Sequence, residues 1–245
     1  MKKVIHSFVS NFDKYLIEAW GLGIFMVAAS ICTILFQHPH FKLVEYIPSD
    51  IIRRIFIGLA MGLTAMGIMH SSWGKKSGAH INPAVTITFL FLRKISKNDA
   101  VFYMIFQTIG GTLGVYIITL FLPEYMNDSS VQYVVTIPGI NGLNGAIIGE
   151  SIISFILMFT TLIVTNNRTY KKYIGFITAF LITNFVIFEA PYSGFSMNPA
   201  RTLASAIPST IWTDWLMYMI VPPISMLSAA FIYNTFLRKA VHRIS

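Results

Sequence analysis

Ser196-Met197-Asn198-Pro199-Ala200-Arg201 is the stretch on which the reading of this chain turns, together with an earlier counterpart, Ala79-His80-Ile81-Asn82-Pro83-Ala84. The two Asn-Pro-Ala triplets lie 116 residues apart, and each opens an apolar segment too short to cross a bilayer. Asn is among the best helix N-cap residues. Pro is tolerated at the first helical position, where its missing N–H had no partner to lose. Each triplet therefore predicts the start of a half-length helix. A capping Asn spends its carbonyl oxygen on the orphan N–H groups of the first turn, which leaves its amide NH2 as an outward donor. Two such starts meeting at mid-membrane would aim two fixed donors and two positive dipole ends at one point. Water or a small hydroxylated solute could pass such a point, whereas a cation would be repelled. One Asn-Pro-Ala alone reads most simply as a turn or an ordinary helix start. Two copies in matching places of two similar halves do not.

The rest of the composition fits a membrane. Of 245 residues, 55% are hydrophobic and only 11% charged, with a mean hydropathy of +0.65, which is not the balance of a soluble domain. Six apolar runs at residues 19–37, 55–73, 100–122, 145–165, 173–188 and 215–237 read as spans. The first could instead be a signal peptide cleaved near Ala28-Ala29-Ser30, but it stays apolar through Phe36 and is read as an uncleaved span. The short pieces at 84–92 and from Asn198 to about Pro208 read as re-entrant. The order is span, span, half-helix, span, twice over. Three spans per repeat force the second copy to insert upside down, so the expected fold is all-α, with six transmembrane helices, two re-entrant half-helices and an inverted repeat over about 14–122 and 145–237 of a single domain, 1–245.

Charge placement tests that topology. With both termini on one side, that side receives all of the eighteen Lys and Arg except Lys42, Arg53, Arg54 and Arg201. The positive-inside rule then makes both termini cytoplasmic. The net charge of +8 is thus accounted for by orientation, without nucleic acid as a partner. One Cys, Cys32, excludes an internal disulfide framework, and six His residues without ligand spacing leave no metal site; no cofactor is expected. No nucleophile or metal set suggests an enzyme. Glu18 and Glu150 occupy echoing places in the first and fourth spans. Such intramembrane carboxylates could relay protons, or they could accept backbone N–H groups of the re-entrant loops; their symmetry favours the brace. His80 has the place of a loop-bracing residue. His70, near the inner end of the second span, could be braced or could sense pH.

The longer strings Ser77-Gly78-Ala79-His80-Ile81-Asn82-Pro83-Ala84-Val85-Thr86 and Gly194-Phe195-Ser196-Met197-Asn198-Pro199-Ala200-Arg201-Thr202 resemble the signature of the aquaporin, or major intrinsic protein, family, over nearly the whole chain. The resemblance implies a pore centre at Asn82, Pro83, Ala84, Asn198, Pro199 and Ala200, braced by Glu18, Glu150 and His80. It also implies a selectivity filter of Met61, Val186, Phe195 and Arg201. Met61 is carried over with one extra residue in 73–79. Val186 stands where water-selective members resemble a His, and Thr202 where glycerol facilitators place an Asp. The expected activity is passive, bidirectional permeation of water and small uncharged solutes with exclusion of ions and protons. A glycerol or metalloid-acid facilitator and a secondary active transporter are the alternatives. The resemblance further implies a homotetramer in a bilayer, and the short loops suggest a bacterial inner membrane.

Overall fold

The computed structural model describes residues 2–237, and among them it is built of α-helices and short 3-10 or π turns with no strand. Met1 and the basic tail at 238–245, which contributes to the charge argument, lie outside the described residues. Among the described residues six helices are long and apolar enough to cross a membrane: α1 (Lys2–Gln37), α3 (Asp50–His70), α6 (Lys97–Phe121), α8 (Gly142–Thr165), α9 (Ile174–Phe188, lengthened by a 3-10 turn from Lys171) and α12 (Trp215–Ile232, continued by a π turn to Leu237). Two half-helices, α5 (Pro83–Phe91) and α11 (Pro199–Ser209), begin at the Asn-Pro-Ala triplets. Short helices α2 (Lys42–Tyr46), α4 (Ser72–Ser77), α7 (Pro123–Asn127) and α10 (Ala190–Ser193) fill the connections.

Helix pairing follows the repeat. Helix α1 packs along α6, and α8 along α12, so the first and third spans of each half lie together. The second spans, α3 and α9, pack on one another and join the halves. Each half-helix leans on the opposite half: α5 on α12, and α11 on α6. Small residues make these approaches close. A Cβ on Gly58 would stand 2.8 Å from the Thr183 carbonyl oxygen, and one on Gly62 2.6 Å from that of Ala179, both on α9. Apolar side chains left on the periphery, such as Leu120, Phe121, Phe180, Phe188 and Phe231, face outward as a lipid-facing surface requires.

Two boundaries differ from the sequence reading. The first helix begins well before the apolar run at 19–37: residues 2–18 also belong to α1, which is continuous from Lys2 apart from non-helical backbone at Asn11. Phe8 and Phe12, one turn apart, pack on Phe102 and Phe106 of α6. Ser7 Oγ, Asn11 Nδ2 and Tyr15 Oη all donate to Asp99 Oδ1, at 2.6, 3.1 and 2.6 Å. The second span ends at His70 rather than Trp73. Ser71 leaves helical geometry there and caps α4, its Oγ accepting from the Gly74 N–H at 2.8 Å.

Candidate functional site

Each re-entrant loop hangs on one buried carboxyl group. Glu18 accepts from Ser77 Oγ (2.7 Å) and His80 N (3.0 Å) on one oxygen, and from Ile81 N (2.6 Å) and Gln107 Nε2 (2.8 Å) on the other. Glu150 accepts from Ser193 Oγ (2.9 Å) and Ser196 N (2.7 Å), and from Met197 N (2.7 Å). Both glutamates are wholly buried. A loop that turns several N–H groups one way needs an acceptor with two oxygens, and a carboxyl supplies it where water is absent. A tyrosine closes each arrangement from the third span of its repeat: Tyr103 Oη donates to Ser77 O at 2.8 Å, and Tyr218 Oη to Ser193 O at 2.6 Å.

The loops reach their shape through left-handed backbone. Gly78, Ala79 and Ile81 have φ of 94°, 46° and 40°, and Gly194, Phe195 and Met197 repeat this at 76°, 56° and 52°. Positive φ is a strained choice for a β-branched residue such as Ile81. Bonds at both ends of that residue hold it: its N–H donates to Glu18, and its carbonyl accepts from Asn198 Nδ2 at 2.8 Å.

The triplets then act as caps. Asn82 Oδ1 accepts from Ala84 N at 2.8 Å, and Asn198 Oδ1 from Ala200 N and Arg201 N at 3.0 and 3.2 Å. Their amides are less free than the sequence suggests. Asn82 Nδ2 donates to Met197 O at 2.8 Å, the mirror of the Asn198 bond to Ile81 O, so one hydrogen of each amide ties the two halves together. The second hydrogen of each remains for another acceptor.

Two cavities flank this crossing. One, of about 260 Å³, is lined by both asparagines and by His80, Phe195 and apolar side chains such as Phe25, Phe89 and Ile182. The other, of about 240 Å³, brings Met61, Val186, Phe195 and Arg201 onto one lining. Phe195 belongs to both. No Asp or Glu lines either cavity among the described residues. Arg201 is 6% exposed; its Nη1 donates to Val134 O at 2.7 Å, and its buried Nε has no partner among the described residues. His80 Nδ1 stands 3.2 Å from Thr86 Oγ1, with the ring against Phe89 and Tyr103. Ser196 and Thr202 hold the matching places in the second loop, 2.6 Å apart. His70 lies off both linings, against Phe176, with Nε2 buried and unbonded among the described residues.

The family model described as "Major intrinsic protein" matches residues 6–233. The chain belongs to the major intrinsic protein family. Among relatives of this member, a probable aquaporin NIP-type of Nicotiana alata is 38% identical over 73% of this chain and 64% of its own length. Aquaporin NIP1-2 of Arabidopsis thaliana is 33% identical over 73% of this chain and 61% of its own length. The matches thus span a little over three-fifths of those relatives. Among solved structures, the X-ray structure of the aquaglyceroporin from Plasmodium falciparum superposes with a TM-score of 0.80 over 95% of this chain and 99% of that one; at 21% identity the likeness speaks to the fold.

Several residues of this major intrinsic protein carry the site without having been singled out from sequence. Ser77 and Ser193 have a signal in hindsight, since they share the 116-residue offset of the triplets. Tyr103 and Tyr218 sit in the two third spans at nearly the same offset. Gln107 has no such echo, because Pro222 and its neighbour Pro223 occupy the corresponding stretch of α12. Glu189 is a further carboxyl, 8% exposed, with no hydrogen bond to either oxygen within ordinary geometry among the described residues, set against the notch that Gly149 leaves in α8.

Proposed function

We propose that this chain is a membrane channel rather than an enzyme, and that water and small uncharged solutes cross it passively in either direction. The observation that carries this reading is the pair of cavities meeting at Phe195, on either side of two helix starts bonded across the repeat. A solute arriving from the Arg201 side exchanges hydration for the guanidinium, passes Phe195, Val186 and Met61, and then meets the remaining amide hydrogens of Asn82 and Asn198. The largely apolar walls bind it weakly enough to let it leave. Two positive helix ends and Arg201 oppose cations. The same field reorients water at the centre and breaks a continuous proton path. Glu18, Glu150 and His80 serve as braces: the carboxyl oxygens are engaged mainly by the loops, and His80 Nδ1 by Thr86 of the half-helix that follows. A coupled transporter would need a carboxylate facing the path, and the linings support none.

This reading extends to the whole of 1–245 as one channel domain with inverted repeats near 14–122 and 145–237. It includes a homotetramer with a pore in each subunit, and an inner-membrane location with both termini cytoplasmic.

Stopped-flow light scattering on sealed vesicles tests the reading. Vesicles with the protein are expected to pass both water and glycerol faster than protein-free ones, because Val186 presents an apolar wall where a polar one would narrow the cavity. Val186→His should lower glycerol permeability about tenfold relative to water, the scale set by one misfit group in a pocket. Unchanged glycerol flux in that variant would remove Val186 from the filter. A proton conductance approaching the water conductance would sink the channel mechanism itself.

A further inference from the structure

The Arg201 cavity continues outward along two antiparallel helix faces. On α1 its lining residues are Ala29, Thr33 and Gln37, four apart and therefore on one face. On α3 they are Arg54, Ile57 and Met61. At 1.5 Å per residue, Gln37 stands about 12 Å above Ala29, and Arg54 about 10 Å above Met61. Gln37 and Arg54 therefore share the outer mouth, with Met61 and Ala29 at the floor beside the filter.

The chemistry of that mouth is specific. Arg54 Nε donates to Ile187 O at 3.1 Å, which anchors the guanidinium across α3 and α9 while no hydrogen bond engages its terminal nitrogens among the described residues. They are not sealed from solvent either. Neighbouring Arg53 is different: it is buried, bonded to Ile47 O and Pro48 O, and paired with Asp50. The Gln37 amide and the Thr33 hydroxyl likewise have no partner among the described residues. A guanidinium donates only, whereas an amide donates and accepts. A hydroxyl group needs both: its oxygen can accept from Arg54 while its hydrogen is given to Gln37 Oε1. With two guanidiniums and no carboxylate on the lining, the mouth attracts oxygen acceptors and repels ammonium and metal cations.

We propose that Arg54 and Gln37 form an outer capture station for small uncharged molecules carrying two or more hydroxyl oxygens, a polyol being the simplest. The station loads such solutes in front of the Met61–Val186–Phe195–Arg201 constriction. It rests on the channel reading above and makes Arg54 a residue of specificity as well as a link between α3 and α9.

The test compares glycerol and water permeability in sealed vesicles for wild type, Arg54→Gln and Gln37→Leu. Each variant is normalised to its own water permeability, which corrects for the amount of folded protein. Both substitutions should lower the glycerol-to-water ratio about fivefold, the equilibrium value of one lost hydrogen bond, and raise the glycerol concentration at half-saturation. Gln37 lies on α1 and makes no hydrogen bond to Ile187 among the described residues, so its effect separates capture from tethering. A ratio that holds in both variants, or falls only in Arg54→Gln together with the melting temperature, overturns the station. So does a wild type that passes water and excludes glycerol. If wild-type vesicles exceed protein-free ones for neither molecule, the channel reading falls with it.

Discussion

A Gly110→Ala chain is expected to fail to reach the folded state. The added methyl would overlap the backbone of Ala19, where α1 crosses α6, and the backbone has no rotamer through which to yield. Overpacking usually costs about 1–3 kcal/mol when side chains can give way; here only separation of the helices relieves it. That separation moves Glu18, one residue from the contact, and with it the whole first loop. Size-exclusion chromatography and thermal unfolding in detergent should show loss of the monodisperse species. Gly67→Ala, where an added Cβ meets nothing within 4 Å, should behave as wild type. A Gly110→Ala protein with normal melting temperature would mean that α1 and α6 do not approach this closely.

The second large effect belongs to Glu150→Ala. It leaves the Ser196 and Met197 N–H groups and the Ser193 hydroxyl without an acceptor in a wholly buried place. Each orphaned donor costs about 1–3 kcal/mol, so the loss should be about 3 kcal/mol or more. The same loop holds Phe195 and starts α11, so permeability should fall further than the folded fraction. Ser193→Ala removes one donor and should produce a much smaller drop in melting temperature. Should Glu150→Ala keep wild-type stability and flux, the loop would have to be held by its own backbone.

The features legible in the sequence were those set by local chemistry. Asn82-Pro83 and Asn198-Pro199 are helix starts because a capping side chain and a proline suffice for one, whatever surrounds them. The spans followed from hydropathy. What escaped depended on partners far along the chain. The helix before Lys14 is held by Asp99 and by Phe102 and Phe106, none of which a polar-looking tail announces. The break at Ser71 is a capping event between two apolar stretches, to which hydropathy is blind. Positive φ at Ile81 and Met197 leaves no residue-type signal, since neither is glycine. The amide hydrogens given to Met197 O and Ile81 O were invisible for the same reason: the acceptors lie in the other half. Arg54 was readable as an outer residue from the charge placement, but the lining it shares with Gln37 needed the helix pairing.

The bonds that cross between halves also set a timetable for biosynthesis. Asn82 leaves the ribosome long before its acceptor Met197, 115 residues later, and α5 precedes its packing partner α12 by more. At about 5–20 residues per second the wait is on the order of ten seconds. During it the nascent first half holds a strained loop and an unpartnered half-helix in or beside the bilayer, with only Glu18 and its own spans for support. A message interrupted in that interval yields a fragment whose Asn82 amide and Ile81 carbonyl lack the partners that the second half supplies, a mismatch with lipid that the finished protein does not carry.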